Sequence, residues 1–236
     1  MNTYRKTAIS VGVLFIIATV IGVLGNAIFL KPILDATDYL IKISANENHM
    51  IIGVLLVLFS ALASASIAIW LYPILKKHHE ALALASVGFR VMEGMLYIIG
   101  MVGLLSLLTL SQVYVKAGAS DAFLFQISGT LLLAVHKWAG QLGVIAFAMG
   151  ALMYYYVFYQ SKLVPRFISG WGFLGAALSL AAALLAISGQ IIYFSTPFIL
   201  LQVPIGVQEM VLAVWLIVKG FNPSAIASGS AKADIN

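Results

Sequence analysis

Long apolar runs, separated by short polar or basic stretches, dominate the sequence. A transmembrane helix needs roughly 20 apolar residues, and six of the runs reach that length. They lack the strict alternation of apolar and polar positions that is typical of barrel strands. Helices are therefore predicted, because they satisfy their own backbone hydrogen bonds in lipid. The predicted spans cover residues of about 7–30, 50–75, 83–110, 135–159, 167–192 and 198–219.

The composition supports a membrane protein. Hydrophobic residues make up 62% of the 236 residues and charged residues only 9%, whereas a soluble domain carries about 25% charged residues. So few charges would leave the surface of a soluble domain largely apolar. The predicted fold class is an all-α integral membrane protein, a six-helix transmembrane bundle within a single domain over residues 1–221.

The basic residues predict which side of the membrane each loop faces. With the N-terminus in the cytoplasm, eight Lys and Arg residues fall inside and three outside, in agreement with the positive-inside rule. Both termini are therefore predicted to be cytoplasmic, and the net charge of +5 does not indicate nucleic-acid binding. The inner set is Arg5, Lys6, Lys76, Lys77, Lys162, Arg166, Lys219 and Lys232; the outer set is Lys31, Lys42 and Lys116.

Residues 121–135 are the ambiguous stretch. A helix capped by Ser120 or Asp121 and unbroken to Tyr159 would be about 58 Å long, nearly twice the hydrocarbon thickness. We expect it to project outward or to break near Gly129. A seventh span is the alternative, but it would place four of the inner basic residues outside.

Two shorter segments lie outside the predicted spans. Residues 35–43 have the pattern of a short interfacial helix on the external side. Residues 222–236 are small and polar, and are predicted to be a disordered cytoplasmic tail.

Three ionisable residues fall near the middle of the predicted bilayer. Arg90 and Glu93 are three residues apart and share a helix face with Tyr97, and Glu209 lies at the same depth in the last span. One ionised group at that depth costs about 2.5–3.5 kcal/mol. A hydrogen-bonded cluster with Arg90 between the two glutamates is therefore predicted, since a guanidinium can serve two carboxylates.

The cluster has two interpretations. Intramembrane ionisable residues are functional candidates, which favours a proton-linked or catalytic site. A self-neutralising set is also what a structural salt bridge between the third and last spans would contain. The sequence does not separate the two.

A second polar set lies toward the outer side. His136 and Gln141 belong to the fourth span, Gln202 enters the last span, and Gln208 precedes Glu209. Gln202 and Glu209 share one helix face, which predicts a polar, outward-facing cavity. Ordinary interfacial residues are the alternative for most of them. His136 is singled out because Gly140 and Gly143 on its face leave room for a ligand or another helix.

No metal site and no cofactor are predicted. Cysteine is absent, and His49 and His136 do not belong to a metal-binding pattern such as H-x-x-x-H. Gly170, Gly172 and Gly175 have the spacing of a dinucleotide-binding loop. They open a membrane span and do not follow a strand, so close helix packing is the better interpretation.

Three stretches carry a family resemblance: residues 88–100, 163–175 (LVPRFISGWGFLG) and 204–221 (PIGVQEMVLAVWLIVKGF). The chain resembles an uncharacterised bacterial family of small multi-pass membrane proteins, catalogued as a domain of unknown function. The resemblance covers nearly the whole chain except the tail. It implies a location in the bacterial inner membrane and supplies no activity, substrate or site residues.

The sequence thus favours a transporter-like protein, or one that binds a small or amphipathic ligand, in contact with membrane lipids. One alternative is an intramembrane enzyme with Glu93 or Glu209 as general acid on a lipid or isoprenoid substrate. A structural or regulatory membrane protein is the other.

Overall fold

The structure, a computed structural model, describes residues 3–117 and 122–233, with side chains as far as residue 229. Within these ranges the elements are all helical. Their bounds are α1 Thr3–Val23, a π-helical segment Leu24–Leu30, α2 Lys31–Leu34, α3 Tyr39–Ala45, α4 Glu47–Ala117, α5 Ala122–Ser161, α6 Arg166–Ile187, α7 Thr196–Val218 and α8 Pro223–Ala233.

Five helical stretches are long and apolar enough to cross a membrane. The all-α fold predicted from the apolar runs is confirmed, and these stretches suggest a membrane protein. The stretches are Thr3–Leu34, Glu47–Ala117, Ala122–Ser161, Arg166–Ile187 and Thr196–Val218.

Helix α4 contains two of the predicted spans. At His79 the backbone is extended, with φ −158° and ψ 91°, which interrupts the 71-residue helix. The His79 Nδ1 atom accepts a hydrogen bond from the Leu82 N–H at 3.3 Å, and so caps the helix that follows. We call residues 47–78 the first arm and residues 80–117 the second arm.

The two arms fold back on each other. Ser64 of the first arm donates a hydrogen bond to Glu93 of the second. A Cβ on Gly94 would lie 3.5 Å from the carbonyl oxygen of Ala61. These pairs are nearly equidistant in sequence from His79, so the arms are antiparallel. A bundle of six crossings would require each arm to cross the membrane, and that count stays a prediction.

The beginning of α1 and the end of α7 lie at the same end of the bundle. Arg5 donates hydrogen bonds to the carbonyl oxygens of Leu216 at 3.1 Å and Ile217 at 2.6 Å. These groups have no partner within α7, because the last turn of a helix leaves its carbonyls free. Lys77 donates to the Tyr4 hydroxyl at 2.7 Å, which brings the α4 turn to this end as well. We call it the basic end.

The tail differs from its prediction. Residues predicted to be disordered from 222 onward are helical over Pro223–Ala233 in the structure, and residues 234–236 lie outside the described part. The Asn222 N–H binds the Leu163 carbonyl oxygen at 2.9 Å, and Ala225 is buried against the bundle core. A Cβ on Gly229 would touch the His78 ring. These contacts attach α8 to the bundle.

Helix α5 continues through residues 122–135 without a break. Its 40 residues span about 60 Å, and Gly129 lies within it as a packing position. A Cβ there would lie 2.6 Å from the Tyr39 hydroxyl. Tyr39 belongs to α3, so the short helix predicted over residues 35–43 is present from residue 39; its external location stays a prediction. Ser120 and Asp121, the predicted caps, lie outside the described residues.

Candidate functional site

Arg90 and Glu93 form an ion pair in the bundle interior. Their side chains are 2% and 4% exposed, and Arg90 Nη1 lies 3.0 Å from Glu93 Oε2. One turn of the second arm separates them, as their spacing predicts. The contact is not a well-aligned hydrogen bond, since both atoms lack a partner of hydrogen-bond geometry.

Helix α5 provides the space for Arg90. The guanidinium carbon lies 4.8 Å from the centre of the Phe147 ring, within the range of a cation–π contact. A Cβ on Gly150 would lie 3.0 Å from Arg90 Cγ. The glycine thus lets α5 approach the arginine stem closely.

Glu93 also links the two arms of α4. Ser64 Oγ donates a hydrogen bond to Glu93 Oε1 at 3.0 Å. The carboxylate is therefore bound on one oxygen by the first arm and paired on the other with Arg90.

Glu209 has a different environment. Thr19 of α1 donates a hydrogen bond to Glu209 Oε2 at 3.2 Å, while Glu209 Oε1 is buried without a hydrogen-bond partner. Arg90 interacts with Glu209 electrostatically, but the described residues include no cation at ion-pair distance from it. We call Arg90, Glu93, Ser64, Glu209 and Thr19 the central cluster.

The predicted cluster with Arg90 hydrogen-bonded to both glutamates is therefore wrong in one part. Arg90 pairs with Glu93 on its own helix and stacks on Phe147. Arg90 therefore makes no direct contact with Glu209. The hydrogen-bond partner of Glu209 is Thr19 of α1.

Gln208 belongs to a separate network toward the basic end. Its Oε1 accepts a hydrogen bond from the Tyr155 hydroxyl at 2.5 Å, and its Nε2 donates to the Ile168 carbonyl oxygen at 3.0 Å. The side chain is fully buried and joins α5, α6 and α7. This satisfied amide has the properties of a structural link.

The remaining candidates, Gln202, His136 and Gln141, have different surroundings. Gln202 Oε1 accepts a hydrogen bond from Ser179 at 2.6 Å. His136 Nδ1 and Gln141 Oε1 are buried without hydrogen-bond partners, and His136 packs against Gly100.

The two glycines near His136 do accept other groups. A Cβ on Gly143 would overlap the Tyr97 ring, and a Cβ on Gly140 would overlap the Tyr193 side chain. The room predicted on this face is thus occupied by two tyrosines of the protein. Tyr97 belongs to the second arm, one helical turn beyond Glu93, and its ring packs on Gly143 of α5.

Several contributors were not identified from the sequence. Thr19, Ser64, Phe147 and Tyr193 carry no motif. A hydroxyl within an apolar run at the depth of the glutamates would have been the available signal. The partner of each glutamate depends on which helices are adjacent, and hydropathy does not give that.

The part of the chain that the structure describes has surface grooves, and the two best defined contain none of the candidate residues. One, of about 590 Å³, lies at the basic end beside Lys162 and Lys219. The other, of about 330 Å³, is apolar and lies between Leu82 and Phe173. The predicted outward-facing polar cavity stays a prediction.

In the part of the chain that the structure describes, no three His, Asp or Glu side chains are grouped as metal ligands.

Comparison with known proteins gives a family model that matches most of the chain. The model of one family, a domain of unknown function (DUF4386), matches residues 10–220. No curated protein and no solved structure matches the chain.

Proposed function

The chain belongs to the DUF4386 family, and we propose that it is a transporter-like protein of the bacterial inner membrane. In this proposal it binds a small polar or amphipathic solute, and Glu209 takes up and releases a proton.

Six crossings with both termini in the cytoplasm are the topology we propose. The antiparallel arms of α4 supply two helices. The contact of Arg5 with the end of α7 places the beginning of the first long helix and the end of the last one at the same end of the bundle. An even number of crossings follows if every long helix crosses. The excess of Lys and Arg at that end supports a cytoplasmic location.

Glu209 carries the functional part of the proposal. A buried carboxyl without a cation is most stable in its neutral form, because an isolated charge in an apolar interior costs several kcal/mol. Glu93 already has Arg90, and Arg90 cannot give up its charge. Glu209, with one bound and one unbound oxygen, is therefore the group that can exchange a proton.

The arrangement divides the central cluster into two parts. The Arg90–Glu93–Ser64 contacts stabilise the α4 hairpin, which supports a structural role for the salt bridge. The Glu209–Thr19 contact joins α7 to α1 and supports a role in binding. The intramembrane enzyme has no comparable support: among the described contacts, no second carboxyl and no histidine stands at hydrogen-bond distance from Glu209, whose partner is the Thr19 hydroxyl.

A carbodiimide experiment tests this proposal. Dicyclohexylcarbodiimide enters membranes and reacts with protonated carboxyls, and mass spectrometry locates the modified residue. We expect Glu209 to be labelled and Glu93 to remain unlabelled in the purified protein. Labelling should fall as pH rises, and a solute that enters the site should slow it.

Two variants serve as controls. Glu209→Gln should abolish the label, while Ser179→Ala, which changes a contact of Gln202 on the outer part of α7, should keep it. Equal labelling of both glutamates, or no label on Glu209 at acidic pH, would contradict the proposal.

A further inference from the structure

The groove at the basic end is lined by three basic side chains from three different elements. Lys162 lies in the turn after α5, Arg166 begins α6, and Lys219 follows α7. All three are exposed. Among the described residues, none has a carboxylate at ion-pair distance, and the groove lining contains no Asp or Glu.

The backbone of the groove is held by contacts independent of these charges. The Asn222 side chain donates to the Lys162 carbonyl oxygen at 3.3 Å, and its N–H binds Leu163. Lys162 has a positive φ of 58° and Gly220 one of 74°, which turns the chain sharply on both sides of the groove. The Arg166 guanidinium carbon lies 5.3 Å from the Tyr159 ring centre.

Apolar side chains lie in the groove lining and next to it along the chain. Trp215 lines the groove, and tryptophan is typical of the membrane–water interface. Phe167 and Val218, the neighbours of Arg166 and Lys219, are 66% and 61% exposed. A ligand with an anionic head and an apolar tail would contact both the charges and Trp215.

We propose that this groove binds the phosphate group of an anionic phospholipid, with the acyl chains leaving the groove past Trp215. Arginine and lysine are the usual phosphate ligands. The groove volume of about 590 Å³ lies in the range of small-ligand sites. A free phosphate would use the same three charges but not Trp215. The central cluster contributes no residue to this site, so it is independent of the proposed function.

Native mass spectrometry of the purified chain tests the site. We expect retention of phosphatidylglycerol over phosphatidylcholine, and about tenfold weaker phosphatidylglycerol binding in Arg166→Gln/Lys219→Gln. The matched control Lys6→Gln/Lys76→Gln removes two charges from the same end outside the groove and should change binding less than twofold. Inorganic phosphate, added as a competitor, should not displace the lipid.

Other outcomes would identify a different ligand or overturn the site. Displacement by inorganic phosphate would support the phosphate chemistry and assign the source to the free ion. Equal losses in the two double variants would overturn the site and leave only a general attraction of a basic surface to anionic lipid. If the groove double variant fails to fold, Arg166→Gln and Lys219→Gln are measured singly. Each should weaken lipid binding about threefold, and unchanged binding in both single variants would overturn the site.

Discussion

Removal of one carboxylate at a time from the central cluster should have unequal effects on stability. Glu93→Gln leaves Arg90 as a charged side chain, 2% exposed, without its counterion. Glu209→Gln leaves the Thr19 hydroxyl with an amide oxygen to donate to, and removes no counterion. The first change breaks a buried pair, and the second replaces a neutral acid by a neutral amide.

The magnitudes follow from this difference. Breaking a buried ion pair costs about 3–5 kcal/mol, whereas exchanging one hydrogen-bonded group for another costs within about 1 kcal/mol. For a chain of this size, 1 kcal/mol shifts Tm by roughly 2–4 °C. Glu93→Gln should therefore lower Tm by about 6–20 °C, and Glu209→Gln by no more than about 4 °C.

Thermal unfolding in detergent, followed by size-exclusion chromatography or intrinsic fluorescence, measures both variants. The double variant Arg90→Met/Glu93→Met is the comparison, because it removes both charges of the pair and keeps the approximate volume. It should be close to the wild type in stability.

Two results would refute this reasoning. Equal losses in Glu93→Gln and Glu209→Gln would mean that the two carboxylates serve Arg90 alike. A small loss in Glu93→Gln that becomes large only in Glu93→Gln/Glu209→Gln would mean that Glu209 replaces Glu93 as the counterion.

Four further predictions concern the central cluster and other parts of the structure. Arg90→Ala leaves two buried carboxyls without a cation, so its Tm should be highest at acidic pH, where both can be neutral, and should fall as pH rises; a flat profile would contradict the buried cluster. Gly143→Ala should destabilise by about 1–3 kcal/mol because its Cβ overlaps Tyr97, while Gly206→Ala, with open space around it, should change Tm little. Arg5→Gln should lower the free energy of unfolding by about 1–2 kcal/mol through loss of the α7 carbonyl contacts, and Lys6→Gln provides the exposed control. In intact cells a membrane-impermeant thiol reagent should label Ala45→Cys and spare Ala81→Cys, in a chain without native cysteines; external labelling of Ala81→Cys would exclude the proposed topology.

The long helices could be predicted from the sequence because their signal is local. The apolar run before Lys76 and the one after Ala83 each exceed the length that a membrane crossing needs, and the structure places the break between them at His79. The depth of Arg90, Glu93 and Glu209 also follows from counting residues along each helix at about 1.5 Å per residue. These inferences need no knowledge of neighbouring helices.

The partners of those residues could not be predicted, because they depend on adjacency and on rotation about each helix axis. Glu209 meets Thr19 because α1 lies beside α7, and Glu93 meets Ser64 because the α4 arms fold together. Gly143 was correctly identified as a place that accepts a large group, but the sequence did not identify that group as Tyr97. The helical tail beyond residue 222 is attached by contacts with Leu163 and His78, which are distant in sequence.

The central claim is that Glu209 holds a proton in the membrane interior while Glu93 is an ionised partner of Arg90. Infrared difference spectroscopy of the reconstituted protein between acidic and alkaline pH measures this directly, through the carbonyl stretch of a protonated carboxyl in an apolar environment. The account predicts one such band, absent in Glu209→Gln and retained in Arg90→Met/Glu93→Met. A band that persists in Glu209→Gln and disappears in the Arg90→Met/Glu93→Met variant would contradict it.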